Sequence, residues 1–163
     1  MNLAELTQQI ETSIAPFETW QPESCGDIDI TIKRNGDWYF QESKINRINL
    51  VKLFAKVLTK EQGHYYLKTP VEKMRIQVED APFLITHWYQ KDGFIVCCDN
   101  LAREYVLGEN HTLEINGDVP YLHLHHGVMA KVSRNVFYQW AEISEQKKGR
   151  FAICSGGQDF FIG

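Results

Sequence analysis

The feature that most constrains the fold is an ordered series of landmarks that occurs twice along the chain. Each series runs through strand-like residues, an arginine, a helical segment, a glycine and a further strand-like segment. The first comprises Ile32, Trp38, Ile45, Arg47, Leu50, Gly63, Tyr65, Leu67 and Thr69, and the second Leu124, Val128, Val132, Arg134, Phe137, Gly149, Phe151, Ile153 and Ser155. Their spacing differs only across loops, where duplicated units lose residues. Any strand–helix–strand unit would look partly similar, but we favour duplication.

Apolar spacing predicts three helices. Leu3, Leu6, Ile10 and Ile14 follow a helical period over residues 3–14, and Leu50, Leu53, Phe54, Val57 and Leu58 form a second helix face. A third helix is expected from about Arg134 to Glu145. Alternation at Ile28, Ile30 and Ile32 predicts a strand that turns at Asn35-Gly36 into Trp38–Phe40.

Residues after 70 are mostly strand-like. Candidate strands are Met74–Val78, Phe83–Tyr89, Phe94–Cys98, Glu104–Leu107, Thr112–Ile115, Tyr121–His125, Val128–Lys131, Phe151–Cys154 and Phe160–Ile162. The predicted class is therefore α+β, with duplicated strand-turn-strand-helix-strand units and mostly antiparallel sheet. We expect residues 1–72 to hold the N-terminal helix and the first repeat, and residues 73–163 to hold the larger second repeat.

Charge and cysteine content exclude several classes of protein. The chain has 17 basic and 21 acidic residues, a formal net charge of −4. Nucleic acids and anionic membranes require concentrated Lys and Arg, so we expect neither as a partner. The four cysteines form no CxxC pair, and Cys97 and Cys98 would face opposite sides of a strand. Reduced thiols, and the absence of a signal-peptide or membrane-span pattern, predict a cytoplasmic protein.

No motif announces an enzyme, a cofactor or a metal. The chain lacks a P-loop, a dinucleotide fingerprint and a nucleophile elbow, so we predict neither catalysis nor a cofactor. His123 and His125 would share one strand face, which is a spacing that can hold a metal. A third ligand would have to come from His126, His111, Asp99 or a cysteine, and we favour a polar hairpin arm over a metal site.

Several ordered motifs resemble the bacterial domain-of-unknown-function family 1285. They are Cys25-Gly26-Asp27-Ile28-Asp29, Thr69-Pro70-Val71-Glu72-Lys73, Val78-Glu79-Asp80-Ala81-Pro82-Phe83 and Arg134-Asn135-Val136-Phe137-Tyr138. The resemblance spans about Pro16 to Gly163. Two departures are Asn135, where the family usually has Pro, and His125-His126-Gly127, where it tends to have a charged turn.

The resemblance implies a duplicated α+β core whose C-terminal half is pleckstrin-homology-like. It also implies a site between the halves for a nucleotide-like ligand and a role in signalling. The family has no established reaction, so the resemblance adds no catalytic residue.

Arg47 and Arg134 occupy equivalent places at the starts of the repeated helices. A guanidinium beside free helix N–H groups suits an anion, and both arginines would contribute if the repeats shared a cleft. The alternative is that each arginine caps carbonyl groups or pairs with a nearby carboxylate.

Four further residues are candidates for the same ligand. Lys73 would meet a phosphate, Glu79 and Asp80 would accept from a ribose or base, and Tyr66 would supply a stacking face. Alternatively, these charges form ion pairs between the two halves, and the aromatic ring belongs to the core.

We therefore carry two hypotheses for function. The first is a regulatory module that binds a small anionic, nucleotide-like ligand. The second is a protein-interaction adaptor without a small ligand, which would use exposed strand edges or the amphipathic helix of residues 3–14.

Overall fold

The structure is a computed structural model, and it describes residues 2–12 and 16–163. Two compact units are formed. The first unit comprises the described residues up to Asp80 together with His126–Val128, and the second comprises Ala81–His125 and Met129–Gly163. The strand that begins at Glu72 pairs with strands of the first unit, so this unit extends further along the chain than the predicted boundary between Glu72 and Lys73.

The first unit contains two α-helices and one six-stranded sheet in its described residues. The elements are α1 (Leu3–Glu11), a 3₁₀ turn (Phe17–Thr19), β1 (Ser24–Ile32), β2 (Trp38–Phe40), β3 (Ser43–Lys44), α2 (Ile48–Ala55), β4 (Leu58–Glu61), β5 (His64–Lys68) and β6 (Glu72–Val78). The strand order is β3-β2-β1-β6-β5-β4. β1 and β6 run parallel, and the other neighbours run antiparallel.

The second unit is richer in strands. Its elements are β7 (Phe83–Lys91), β8 (Phe94–Asp99), β9 (Glu104–Val106), β10 (Leu113–Asn116), β11 (Val119–His123), β12 (Met129–Val132), α3 (Arg134–Ile143), β13 (Glu145–Lys147), β14 (Arg150–Ser155) and β15 (Gln158–Phe161). One sheet has the order β10-β11-β12-β7-β8-β9, and β13-β14-β15 form a second sheet. Only β12 and β7 pair in parallel among these strands.

The two halves are similar, as the repeated landmarks predict. In each, an arginine begins a helix that is followed by a β-hairpin. Both hairpins turn through a non-glycine residue and a glycine with positive φ, at Gln62-Gly63 and Lys148-Gly149. This backbone matches the right-handed twist of the strands it joins. The fold class is thus confirmed as α+β, mostly antiparallel, in two similar halves.

Helix ends differ from the predicted ones. α1 ends at Glu11, and Ile14 lies outside the described residues. α2 ends at Ala55, and Leu58 instead begins β4, where it pairs with Leu67. Leu58 and the helical residue Phe54 are both buried. The apolar spacing therefore predicted correctly that Leu58 is buried, but Leu58 is buried as part of a strand and not of the helix.

Each unit has its own core. Trp38, Phe54, Leu6, Ile30, Ile32, Leu58 and Leu67 are the largest fully buried side chains of the first unit, and Trp140, Phe83, Ile85, Ile95 and Leu107 are those of the second. None of the helices in the described part of the chain has the length and apolarity needed to span a bilayer.

Candidate functional site

The first unit contains an open hollow of about 750 Å³ beside the start of α2, which we call the Arg47 hollow. Its walls come from α1, from β2 and β3, and from the segment that leads into α2. The lining residues are Leu3, Ala4, Thr7, Gln8, Glu11, Phe40, Ser43, Lys44, Ile45, Asn46, Arg47 and Leu50.

Arg47 is placed at the hollow by the end of one hairpin and the start of α2. It is the N-cap residue, has extended backbone and makes no side-chain cap. Its carbonyl accepts from the N–H groups of Leu50 and Val51. The N–H groups of Ile48 and Asn49 then have no intrahelical acceptor, as is usual in a first helical turn.

The hollow combines two cationic side chains, Lys44 and Arg47, and one carboxylate, Glu11, with an apolar wall. Lys44 lies 3.4 Å from Asp37 through its Nζ atom and is therefore partly neutralised. No described residue forms a hydrogen bond or an ion pair with the exposed guanidinium of Arg47. Phe40, Ile45 and Leu50 supply much of the apolar surface. An anion with a flat or apolar portion suits this arrangement.

The α1 wall of the hollow is held in place by polar contacts of the same unit. Gln9 Nε2 donates to Glu72 Oε1 at 2.9 Å, and Thr69 Oγ1 donates to Gln9 Oε1 at 2.9 Å. Leu6 and Ile10 are buried on the inner face of α1. The helix α1 is thus packed into the first unit and forms one wall of the Arg47 hollow. The sequence indicated only that this segment is amphipathic.

Two of the predicted ligand residues, Lys73 and Tyr66, do lie together. Lys73 Nζ is 4.5 Å from the centroid of the Tyr66 ring and 3.2 Å from Glu61 Oε1. β5 and β6 are neighbours, and Tyr66 pairs with Arg75 across them. The lysine therefore already has an anionic partner and an aromatic face.

Glu79 and Asp80 also have cationic partners in the first unit. Glu79 Oε1 accepts from the N–H of Arg34 at 2.8 Å, and its Oε2 is 3.6 Å from Lys33 Nζ. Asp80 Oδ2 is 3.5 Å from Arg34 Nη1. Both carboxylates thus form ion pairs, but these partners belong to the first unit, whereas the alternative considered from the sequence was ion pairs between the halves.

Arg134 is the first residue of α3 in the second unit, so both arginines stand at helix starts as expected. Its side chain is exposed, and Ser133 forms no side-chain cap. None of the other predicted ligand residues lines the Arg47 hollow. Three residues that line the hollow were not predicted from the sequence, namely Lys44, Asn46 and Phe40. Nothing in the sequence shows that β2 and β3 face α1.

The two histidines considered for a metal have different surroundings. β11 ends at His123, whose Nε2 lies 3.4 Å from Glu114 Oε1. The ring of His125 instead lies 4.9 Å from that of His111. No group of three or more His, Cys, Asp or Glu side chains in residues 2–12 and 16–163 is arranged to hold a metal ion.

Comparisons with known proteins give a consistent family assignment. Residues 15–81 match the family model described as "Domain of unknown function (DUF1285), N-terminal domain", and residues 82–162 match "Protein of unknown function (DUF1285), C-terminal domain". A comparison with functionally curated proteins finds no match.

Two solved structures are similar to this chain. A DUF1285 family protein from Silicibacter pomeroyi DSS-3 is 32% identical with a TM-score of 0.85, over 98% of this chain and 93% of that one. A DUF1285 family protein from Shewanella baltica OS155 is 29% identical with a TM-score of 0.61, over 69% of this chain and 90% of that one. Since the two family models together cover nearly the whole sequence, this chain belongs to the DUF1285 family.

Proposed function

We propose that this protein is a regulatory module that binds a small anionic, nucleotide-like ligand, and that the Arg47 hollow is its site. The observation that carries the proposal is the arginine itself. It lies at the start of α2 in a hollow of about 750 Å³, and no carboxylate among the described residues pairs with it. A volume of this size suits a nucleotide-sized molecule.

The chemistry of the hollow supports an anion with an apolar part. The Arg47 guanidinium and the N–H groups of Ile48 and Asn49 would receive phosphate oxygens, because the start of a helix favours negative charge. Phe40 and Leu50 would pack against a base, and the Asn46 amide would serve its polar edge.

Lys73, Tyr66, Glu79 and Asp80 have a smaller part in this proposal than the sequence indicated. The charges of Lys73, Glu79 and Asp80 are engaged in ion pairs with Glu61, Lys33 and Arg34, and the Lys73 ammonium lies over the Tyr66 ring. A ligand that used them would have to displace those partners. Arg134 is exposed and opens the equivalent helix of the second unit, but it does not line the Arg47 hollow.

The regulatory and signalling part of the proposal rests on the family resemblance. The same resemblance leads us to propose a pleckstrin-homology-like second unit, for which the antiparallel sheets and the single helix α3 give general support. Superposing an experimental structure of this unit on pleckstrin-homology domains would test the likeness. A match restricted to one sheet would contradict it.

An adaptor that binds a partner through α1 is the second candidate, and the packing of α1 argues against it. Leu6 and Ile10, the apolar residues such a helix would present, are already buried in the first unit. To dock on a partner through this face, α1 would first have to leave the first unit, and the burial of both residues there would be lost.

Thermal unfolding with a panel of nucleotides and other small phosphate esters tests the ligand. A compound at about 100 times its dissociation constant should add roughly 3 kcal/mol to the free energy of unfolding. Arg47→Ala should remove most of this gain, whereas Arg134→Ala, which changes a residue outside the hollow, should leave it in place.

Lys56→Ala is the matched control, because it removes one positive charge from the other end of α2. Its ligand-induced shift should equal that of the unmodified protein. Flat melting curves over the whole panel, or equal losses for Arg47→Ala and Lys56→Ala, would contradict the proposed site.

A further inference from the structure

The second unit has a cavity of its own, of about 620 Å³, beside the edge strand β9. We call it the β9 cavity. It is lined by Phe94, by Glu104, Tyr105 and Val106 of β9, by the Gly108–His111 loop, and by Ser155, Gly156 and Gln158 of the β14–β15 hairpin. These elements belong to one unit, so the cavity is a property of that unit alone.

The walls of the β9 cavity are held by buried hydrogen bonds. Ser155 Oγ accepts from the N–H of Ile95 at 2.9 Å and donates to the carbonyl of Leu107 at 2.7 Å. Gly108 N–H donates to the carbonyl of His111 at 3.0 Å and closes the loop that carries Glu109 and Asn110. The β9 cavity therefore lies between backbone segments that these hydrogen bonds hold in place.

His111 is a buried histidine in the wall, and one of its ring nitrogens is unoccupied. Its Nδ1 lies 2.9 Å from the carbonyl oxygen of His123, which can only accept, so Nδ1 carries the proton. Burial lowers the pKa of His111 and keeps the ring neutral at pH 7. Nε2 then bears a lone pair for which the described residues provide no donor.

The charge of the wall is negative. Glu104 receives only the weak thiol donor of Cys98, at 3.7 Å, and the Tyr89 hydroxyl, both of which are neutral. Glu109 forms no ion pair with a described residue. The described residues that line the cavity include no lysine or arginine, whereas Tyr105 and Phe94 contribute aromatic rings.

We propose that the β9 cavity binds a small organic cation that carries N–H donors, a guanidinium or primary ammonium group. Glu104 and Glu109 accept charge-assisted hydrogen bonds from it, and His111 Nε2 accepts one more. The exposed ring of Phe94 attracts the same charge through its face. This site differs from the Arg47 hollow in its unit and in the sign of the ligand.

Isothermal titration with n-butylguanidinium tests the site on the full chain. We expect binding that is lost with tetramethylammonium, which has the same charge and no N–H donor. The double variant Glu104→Gln/Glu109→Gln should weaken n-butylguanidinium binding by about tenfold or more, as expected for the loss of charge-assisted hydrogen bonds.

The matched control is Glu142→Gln/Glu145→Gln, which removes two negative charges from exposed positions of the same unit. It should change the affinity by less than about twofold, because neither side chain lines the β9 cavity and exposed charges outside it are screened by solvent. Equal weakening of binding in the two double variants would mean that only the net charge of the protein matters, and it would overturn the proposal. The absence of n-butylguanidinium binding at millimolar concentration would overturn it as well.

A spectroscopic readout covers the case in which a variant unfolds. In the unmodified protein, n-butylguanidinium should shift the ring resonances of His111 and Tyr105 and leave those of His64 and Tyr66, in the first unit, unchanged. Shifts at all four rings, or at neither member of the first pair, would contradict the assignment.

Discussion

The Nε–H group of Arg103 donates to Oδ2 of Asp99 at 2.8 Å, and the side chain of Asp99 is fully buried. The other carboxylate oxygen accepts from the N–H groups of Leu101 and Arg103, each at 2.9 Å. Tyr105 Oη adds a contact of 3.2 Å to Oδ2. One buried carboxylate thus shapes the whole turn between β8 and β9, the strand that lines the β9 cavity.

We expect Asp99→Ala to be among the most destabilising substitutions in the second unit. It leaves the Arg103 guanidinium, whose Nη2 is already buried without a hydrogen bond, and the Tyr105 hydroxyl without their anionic partner. Breaking a buried pair of this kind costs about 3–5 kcal/mol. Urea denaturation measures the loss. The control Asp118→Ala, at an exposed turn position, should change the free energy of unfolding by no more than about 0.5 kcal/mol. Similar losses for both would refute the assigned role.

The β14–β15 turn offers a comparison between two adjacent glycines. Gly156 and Gly157 both have positive φ, at 61° and 79°. A Cβ atom on Gly156 would overlap the ring of Phe94, whereas one on Gly157 would meet nothing within 4 Å. Gly157→Ala should therefore cost about 1 kcal/mol for backbone strain, and Gly156→Ala about 1–3 kcal/mol more for the clash.

Thermal or urea denaturation of the two glycine variants side by side measures this difference. Since the backbone term is common to both, the excess isolates the packing of Phe94 against the turn. Equal costs would mean that the Phe94 ring moves aside freely.

The pH dependence of stability should carry a signature of His111. Burial lowers its pKa below the ordinary value of 6.5, so the unfolded chain binds a proton at a pH where the native protein does not. Stability should consequently fall as the pH drops below about 6.5 and level off once the native histidine is also protonated. In His111→Gln this part of the slope should disappear. An unchanged slope between about pH 6.5 and 5 would contradict the assignment.

Thiol reactivity should divide the four cysteines by position. Burial raises the pKa of the Cys97 thiol to about 12. Partial burial and, after it, the charge of Glu104 also raise the pKa of the Cys98 thiol. Cys25 and Cys154 are exposed. Iodoacetamide at about pH 8 should modify Cys25 and Cys154 first, as mass spectrometry of peptides would show, because only a thiolate reacts. Fast labelling of Cys97 in the native protein would contradict the packing of β8.

Much of the local structure was predictable from short-range patterns. The alternation at Ile28–Ile32, the turn at Asn35-Gly36 and the helix from Arg134 each follow from backbone preferences that act within a few residues. The repeat was predictable for the same reason, because its helix and its X-Gly hairpin are local features that occur twice. The short strands β3 and β13 were missed, since two or three polar residues carry no periodic signal.

The candidate sites were only partly predictable. Arg47 was identified from its place before a helix, yet its neighbours Phe40 and Lys44 were not, because they reach the hollow through the pairing of β2 and β3. The proposed partners Lys73, Glu79 and Asp80 were read as ligand groups, and the fold supplied Glu61, Lys33 and Arg34 as their counter-ions.

By itself, the sequence determined the α+β class, the duplicated unit and the two arginines at helix starts, because periodicity and turn chemistry act over a few residues. Only the tertiary structure decided which charges are neutralised and which surround a cavity. His111 and Glu104 show this most clearly: strand pairing and loop closure bring them to one cavity, and no local pattern encodes that proximity.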